Sequence, residues 1–412
     1  MEKISLKDRE ILRELAERKL KLAHCRRNDE ILAMWDKQAK GVRDTPTVRL
    51  LFSNFTGEVV GDRLRCEGKD ARKLEWQLLS SMVGRELFDD DTPISDRFEV
   101  GVFASVSPFG AKPNIIRSKD SIGYHIEPLT DDIEADFELF CGGSFLVDMK
   151  GTEEWCAYAD EVFGDILPSV IVQKSLTGAI TNPLVKIINM ENYYMSMYDS
   201  PETLHKIMDM ATTVYEKYYD YLEENRLLLP TNGFSAVAQE SFAFTDELPA
   251  EGKITSTKQL WGFLESQETT AVSPQTYGEF VYPYQDRLVK RYGLLSYGCC
   301  ERVDAIWEDY LSKWDNLRKL SVSPFNNEPL IGEYLRSSRV VYYSKPRAEY
   351  VTNRGPLDEE AILKYFRGVA EAASGCLFEV AQREVGTIFG DYERGRRYVE
   401  LAKQAIAEYW KP

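Results

Sequence analysis

Apolar residues recur along the chain in two patterns, one typical of helices and one typical of short buried strands. Residues 5–40 place apolar side chains at helical spacing on a strongly charged background, which predicts amphipathic surface helices. We interpret residues 1–45 as an N-terminal helical cap. From residue 226 onward, short apolar runs alternate with helical segments. The runs are LLLP, LWGFL, LLSYG, RKLSVS, VVYYSK and CLFEV.

This alternation predicts parallel strands joined by right-handed crossovers. Five strand-helix units follow residue 225 and about three precede it, so the predicted fold class is α/β, as a (β/α)8 (TIM) barrel. Residues 46–66 are β-branched and aromatic and predict a strand, which a helix from about Asp70 to Leu87 follows. Residues 95–150 lack a long helical period and predict short strands and loops inserted at the rim. No linker-like stretch interrupts the series, so we predict a single domain over 1–412.

Composition and charge restrict the class of protein. A hydrophobic content of 43% with 12% aromatic residues supports a large packed core. A net charge of −16 would repel a phosphate backbone, so nucleic acid is not an expected partner. The first residues are charged and helical, and no run of about 18 apolar residues occurs, so we expect a cytoplasmic protein with no membrane partner. A homodimer is compatible with these features.

The cysteine and histidine counts limit the kinds of site that the chain can build. Seven cysteines at scattered positions are not the even, regularly spaced set of a secreted disulfide framework, so we expect reduced thiols. The chain has three histidines at isolated positions, which excludes metal motifs with closely spaced imidazoles such as H-E-x-x-H. A metal would therefore need thiolate or carboxylate ligands.

Polar clusters follow several predicted strands, at the rim where a (β/α)8 barrel collects its reacting groups. They are Asn232-Gly233, Ser266-Gln267-Glu268, Cys299-Cys300-Glu301, Ser321-Val322-Ser323-Pro324 and Ser344-Lys345-Pro346. One helix separates the second cluster from the third, so their strands are expected to be neighbours about 4.8 Å apart. Glu268 and a cysteine can then converge on one ion. We predict a thiolate-carboxylate zinc site, with Glu268, Cys299, Cys300 and Glu301 as candidate ligands.

Strand alternation limits how the two cysteines can face. Neighbouring residues of a regular strand point to opposite sides. Either Cys299 with Glu301, or Cys300 alone, therefore points inward, unless the strand ends at Gly298. We favour Cys299 with Glu301. The alternative is that both cysteines are small buried apolar residues and that Glu301 is a salt-bridged rim residue.

Other candidates are expected to contact a substrate. Lys345 precedes a proline at a strand end and could bind a substrate anion, although a lysine with its stem packed on the barrel is equally common. Residues 191–199 (ENYYMSMYD) either line a pocket for a flat apolar ligand or form an aromatic core wall. The candidate substrate contacts are Asn192, Tyr194, Asn232, Gln267, Tyr297 and Ser323. The candidate catalytic residues are Glu268, Glu301 and Lys345.

Several segments resemble the uroporphyrinogen decarboxylase superfamily, in its branch of corrinoid-dependent methyltransferases. They are KQLWGFLESQETTAVSP, FVYPYQDRLVKRYGLLSYGCCE, NLRKLSVSP and SKPRAEY within residues 258–350, and the terminal GTIFGDYERGRRYVELAKQAI. The chain lacks the arginine-rich R-Q-A-G-R motif of the true decarboxylases. Ser266-Gln267-Glu268 also stands where the zinc enzymes that methylate coenzyme M carry His-x-Cys.

The resemblance implies a (β/α)8 barrel and the substrate-side methyltransferase of an O-demethylase system. Such an enzyme takes a methyl group from an aryl methyl ether (a methoxyaromatic substrate) and passes it to the cobalt of a separate corrinoid (cobalamin) protein. Zinc bound to the ether oxygen would make it a better leaving group. Two alternatives stay open, a metal-free lyase resembling uroporphyrinogen decarboxylase and an accessory protein that binds corrinoid without turnover.

Overall fold

The computed structural model describes residues 1–117, 124–238 and 240–412. The helices are α1 (Leu6–Ala23), α2 (Arg26–Ala39), α3 (Thr56–Val59), α4 (Lys69–Val83), α5 (Met149–Phe163), α6 (Thr181–Asp199), α7 (Pro201–Glu224), α8 (Pro274–Phe280), α9 (Tyr282–Val289), α10 (Glu328–Leu335), α11 (Glu349–Thr352), α12 (Glu359–Ala372) and α13 (Tyr392–Tyr409). The strands are β1 (Thr47–Leu50), β2 (Phe98–Gly101), β3 (Phe103–Ser107), β4 (Asn114–Arg117), β5 (Tyr124–Glu127), β6 (Ser144–Asp148), β7 (Ser169–Val172), β8 (Leu176–Thr177), β9 (Ala236–Ala238), β10 (Ser241–Phe242), β11 (Trp261–Leu264), β12 (Leu294–Tyr297), β13 (Leu317–Val322), β14 (Val341–Ser344) and β15 (Leu377–Gln382).

Helices α1 and α2 occupy the segment for which the sequence predicts amphipathic helices. Leu12 and Leu15 are buried in the main core, whereas Leu6 at the start of α1 is exposed. The Gln38 amide of α2 donates to the Phe378 carbonyl near the start of β15, at 3.0 Å, so α2 contacts the amino-terminal end of the sheet. Within the described residues, no helix combines the length and the apolarity needed to cross a membrane.

Seven strands form one sheet in the order β1-β15-β14-β13-β12-β11-β8, and every ladder in it is parallel. Strands β11 to β15 are neighbours in the order in which they occur along the chain, as consecutive strand-crossover-strand units require. This sheet confirms the predicted α/β class. Strand β7 pairs in parallel with β2, and residues 173–175 separate β7 from β8. No ladder joins β2 to β1 among the described residues, and the closed barrel stays a prediction.

The sequence predicts the strands of the carboxyl-terminal half with one exception. LWGFL, LLSYG, RKLSVS, VVYYSK and CLFEV contain β11 to β15. LLLP (227–230) is not a strand, although Leu228 is buried. After this segment the chain continues into the antiparallel hairpin β9–β10. The segment has the apolar content of a strand, but Pro230 has no amide hydrogen to donate to a ladder.

The two faces of the sheet differ in chemistry. One face packs on the helices: Leu320, Tyr342 and Phe378 belong to the main apolar core. The other face carries buried polar side chains beneath the β9–β10 hairpin. Lys319 of β13 donates to Glu379 of β15 at 3.1 Å, and the Ser241 hydroxyl donates to the same carboxylate oxygen at 2.9 Å. This buried ion pair therefore holds the hairpin against the sheet.

Candidate functional site

The structure places the polar clusters directly after four neighbouring strands. Residues 265–269 follow β11, residues 298–301 follow β12, Ser323 follows β13 and Lys345 follows β14. The ladders pair Leu264 with Tyr297 and Val322 with Ser344. The carboxyl ends of parallel strands meet at one edge of a sheet, so these side chains share that edge. We call it the carboxyl edge.

A turn at Gly298 determines how the two cysteines face. Strand β12 ends at Tyr297, and Gly298 has φ +101°, a left-handed conformation that favours glycine. The alternation of a regular strand therefore stops before the cysteines. The sulfur atoms of Cys299 and Cys300 lie 3.7 Å apart. The sequence left open the possibility that the strand ends at Gly298, and the structure shows this arrangement. Both thiols therefore lie together instead of on opposite sides of a strand.

The two thiols differ in pKa. The hydrogen bond from Cys299 is the main cause that lowers the pKa of Cys300 to about 7, and the nearby Lys345 ammonium acts in the same direction. The shared hydrogen bond and burial raise the pKa of Cys299. Lys345 is buried and donates to the Cys299 carbonyl at 3.1 Å, and burial lowers the pKa of its ammonium. Cys300 is therefore the better nucleophile of the pair.

Glu301 and Glu268 are both buried, and hydrogen bonds occupy their oxygens. Glu301 accepts from the backbone amides of Ser266 at 2.8 Å and Cys299 at 2.5 Å, which ties the ends of β11 and β12 together. Burial raises the pKa of Glu301, and these hydrogen bonds oppose that shift. Glu268 accepts from the Thr181 hydroxyl at 2.7 Å and from the Asn182 side-chain amide at 2.8 Å. Both residues thus brace the chain around the carboxyl edge.

The predicted zinc ligands fit a metal only in part. Two thiolates on a tetrahedral zinc with bonds of about 2.3 Å would lie about 3.8 Å apart, close to the spacing of the cysteine pair. Among the described residues, however, no three histidine, cysteine, aspartate or glutamate side chains are placed to hold one ion. Glu268 and Glu301 are instead directed at their own hydrogen-bond donors. The arrangement therefore does not present a complete zinc site, and zinc stays a prediction.

Glu265, the first residue after β11, is a candidate that the sequence interpretation missed. It is buried, and within the described part of the chain its carboxyl group accepts one hydrogen bond, from the Gln267 amide at 3.1 Å. Burial, with Glu268, Glu301 and Cys299 nearby, raises the pKa of Glu265 well above its ordinary value. The available signal was its position, because it is the first polar residue after the apolar run LWGFL.

Besides Gln267, three predicted substrate contacts lie close to the carboxyl edge, in different settings. The Tyr194 hydroxyl of α6 donates to the Glu268 carbonyl at 2.7 Å. The Ser323 hydroxyl donates to the Cys300 carbonyl at 3.0 Å, so it supports the cysteine turn. Tyr297 is fully buried, where its hydroxyl lies 2.8 Å from the Ser266 hydroxyl and 3.1 Å from that of Tyr277 in α8. Tyr297 therefore faces the helices.

The structure does not bring the other predicted contacts to the cysteines. The Asn192 side chain donates to Asp131 at 2.8 Å. The Asn232 side chain donates to the carbonyls of Thr245 and Leu248 at 2.7 and 2.8 Å, at the base of the β9–β10 hairpin. The residue before it, Thr231, accepts from the Trp261 amide at the amino-terminal start of β11. Gln267 lies on the carboxyl edge, where its backbone amide serves Glu265.

A cavity of about 710 Å³ lies beside β8, and its described lining contains none of the polar residues that follow β11 to β14. Its lining includes Lys174, Thr177, Tyr215 and Tyr218. Strand β8 pairs with β11, which ends beside Glu265. Burial is the main cause that raises the pKa of Tyr215, and the charge of Glu265 contributes. The aromatic walls of the cavity suit a flat apolar ligand.

Comparisons with known proteins bear on the fold. No family model matches the chain. No curated protein matches it either. Among solved structures, the chain is similar to a methyltransferase from Methanosarcina mazei, with a TM-score of 0.52 and 12% sequence identity over 92% of this chain and 98% of that chain. At this identity the likeness shows the fold alone, and it extends over nearly the full length of both chains.

Proposed function

We propose that this protein is a corrinoid-dependent methyltransferase that moves a methyl group from an aryl methyl ether to a separate corrinoid protein. The observation that carries the proposal is the buried Glu265 carboxyl group beside the Cys299–Cys300 pair at the carboxyl edge. The fold likeness to a methyltransferase supports methyl transfer in general. A barrel closed between β1 and β2 is part of the proposal. Counting β7 and β8 as one strand, the elements β1, β2, β7–β8 and β11 to β15 supply eight strands, and every ladder between them is parallel.

Cleavage of an aryl ether needs a proton for the departing oxygen. The bond between oxygen and the methyl carbon breaks, its electron pair stays on the oxygen, and the phenol forms when that oxygen takes up one proton. Glu265 is suited to hold this proton, because burial raises its pKa well above the ordinary value and thereby favours the protonated carboxyl group. The cobalt of the corrinoid partner supplies the electron pair for the new bond to the methyl carbon.

Other residues of the site position and stabilise the donor. Tyr215 and Tyr218 line the cavity beside β8 and offer aromatic surfaces for a methoxyarene ring. Lys345 places a buried positive charge next to the Cys299 carbonyl, where it can attract a negatively charged group of the donor. We assign no step to zinc, because three ligands do not converge among the described residues.

The direct test is a methyl-transfer assay without oxygen. The protein is mixed with a cobalt(I) corrinoid protein and a panel of methoxyarenes, and phenol release is measured with the absorbance change of the corrinoid. We expect phenol and methylated corrinoid to form in equal amounts. Glu265→Gln should slow the reaction by roughly a hundredfold or more. Glu328→Gln is the matched control, because burial also raises the pKa of Glu328, to about 7. An unchanged rate in Glu265→Gln would contradict the proposal.

A metal-free lyase is the second candidate, and a specific observation favours it. Within the described residues no three metal ligands converge, so chemistry that uses acids and cations alone suits the arrangement. Release of carbon dioxide from a porphyrinogen carboxylate, without methyl transfer to corrinoid, would identify this activity. Tight binding of the corrinoid protein with no product from either assay would indicate an accessory protein.

A further inference from the structure

Two cations follow neighbouring strands at the carboxyl edge. Lys345 comes directly after β14, and Arg383 comes directly after β15. The ladder between these strands pairs Ser344 with Val380. The Gln382 side chain donates to the Pro346 carbonyl at 3.1 Å and to the Arg383 carbonyl at 2.8 Å, which joins the two strand ends. The positive charges are therefore held close together.

Neither cation has its hydrogen-bonding capacity filled. The Nε and Nη1 atoms of Arg383 are buried and have no hydrogen-bond partner in the part of the chain that the structure describes. Its Nη2 atom lies 3.7 Å from a Glu384 oxygen, beyond a good hydrogen bond. Lys345 has three donors and, among the described residues, uses one of them, on the Cys299 carbonyl. Buried guanidinium donors without partners are costly, so such an arrangement is typical of a site that an anion completes.

The nearby carboxylates do not supply that anion. Glu301 is engaged by the amides of Ser266 and Cys299. Glu384 is exposed and accepts from Asn54 at 3.3 Å. The edge also carries Glu265 and Glu268, so a group with one negative charge is better tolerated there than a multiply charged one. These features favour a carboxylate.

We propose that Arg383 and Lys345 bind a carboxylate group of the methyl donor, so that the substrate class is methoxyarenes that carry a carboxylate. This inference rests on the proposed function and deepens it. The strand order places the cysteine pair, which follows β12, between Glu265, which follows β11, and the two cations, which follow β14 and β15. A donor held by its carboxylate at Arg383 would direct its ether oxygen away from the cations and toward Glu265.

The test measures binding without turnover. The full chain is titrated calorimetrically with 4-methoxybenzoate, with its neutral counterpart 4-methoxybenzamide, and with sulfate, in the absence of corrinoid protein. We expect the benzoate to bind roughly tenfold or more tightly than the amide, as charge-assisted hydrogen bonds imply. Arg383→Gln should abolish this preference and Arg383→Lys should retain part of it. Arg26→Gln, at an exposed arginine of α2, should leave it unchanged.

Each result decides the proposal. Equal binding of acid and amide, or a preference that survives in Arg383→Gln, would overturn it. Sulfate that competes as well as the benzoate would show a site for free inorganic anions and would overturn the assignment to the substrate. If Arg383→Gln does not fold, Lys345→Met gives the same comparison. Because no methyl transfer is needed, a carboxylate preference without activity would refute the proposed function and leave this subsite standing.

Discussion

The sulfur atoms of Cys299 and Cys300 lie 3.7 Å apart because the chain turns at Gly298 instead of continuing as a strand. Cys300 has a pKa of about 7, so its reactive thiolate predominates above that pH. We predict that its alkylation by iodoacetamide, followed by mass spectrometry, is half-maximal near pH 7. Cys299→Ala removes the hydrogen-bond donor and should move this midpoint toward 9.

Cys141 provides an internal control in the same experiment. It is exposed, and slight desolvation and the neighbouring Glu138 raise its pKa above the ordinary thiol value. Its alkylation should therefore still increase at pH values where that of Cys300 has levelled off. If Cys300 and Cys141 follow one pH profile in the native protein, the cysteine pair does not share a hydrogen bond in solution.

Glu265 and Glu268 should respond differently to substitution by glutamine. Glu268 accepts from Thr181 and Asn182 at the start of α6, so Glu268→Gln should lower the free energy of unfolding by about 1–2 kcal/mol and leave kcat nearly unchanged. Glu265→Gln should instead lower kcat. Urea denaturation and steady-state kinetics separate the two effects. A loss of kcat in Glu268→Gln at unchanged stability would make Glu268 catalytic, as the sequence interpretation has it.

The raised pKa of Glu265 predicts how stability depends on pH. Its pKa is raised in the folded protein, so the folded state holds the proton more tightly and the unfolded chain releases it from about pH 4.5 upward. The wild type therefore loses stability as pH rises from that value toward the folded pKa. The free energy of unfolding of Glu265→Gln, relative to that of the wild type, should grow by at most about 1.4 kcal/mol per pH unit in this interval.

Glu328→Gln is the matched variant for this experiment. Glu328 has a pKa of about 7 in the wild type. The stability advantage of Glu328→Gln over the wild type should therefore grow from about pH 4.5 and level off near pH 7. The stability advantage of Glu265→Gln should likewise grow as pH rises from about 4.5 toward the raised pKa of Glu265. Urea denaturation of the three proteins between pH 5 and about 9 measures the difference. A Glu265→Gln curve parallel to that of the wild type would show that Glu265 is ionised in the folded protein.

The ion pair beneath the hairpin should be essential for stability. Lys319 and Glu379 are 4% and 0% exposed, so Lys319→Met leaves a buried carboxylate without its cation and should cost about 3–5 kcal/mol. The double variant Lys319→Met with Glu379→Leu should recover most of that loss. Arg397→Gln breaks an exposed pair with Glu359 and should leave the urea midpoint unchanged. Additive losses in the double variant would argue against a coupled pair.

Gly298 should resist a side chain. A Cβ there would lie 3.1 Å from the Ser321 Cβ, and φ is +101°, so Gly298→Ala should cost about 1–3 kcal/mol and shift the alkylation profile of Cys300. Gly368 lies inside α12, where a methyl group would project into open space, so Gly368→Ala should be neutral or stabilising. Equal stability of the two variants would mean that the turn at Gly298 adapts readily.

The pattern of apolar runs was sufficient to predict strands β11 to β15 and the polar clusters at their carboxyl ends. Apolar runs separated by helical segments impose parallel neighbours, and the first polar residues after each run must then share one edge. For this reason the pattern alone predicts that Glu268, Cys299 and Lys345 lie at this edge.

Which of these groups are free to act depends on contacts that form when the chain folds. A left-handed glycine brings the two cysteines together, and donors from α6 and from the backbone occupy Glu268 and Glu301. Burial raises the pKa of Glu265 and encloses the Arg383 donors that have no partner among the described residues. This burial depends on contacts between residues far apart in the chain. Local patterns place a residue on an edge, but its hydrogen-bond partners and its desolvation are long-range properties, and these set its chemistry.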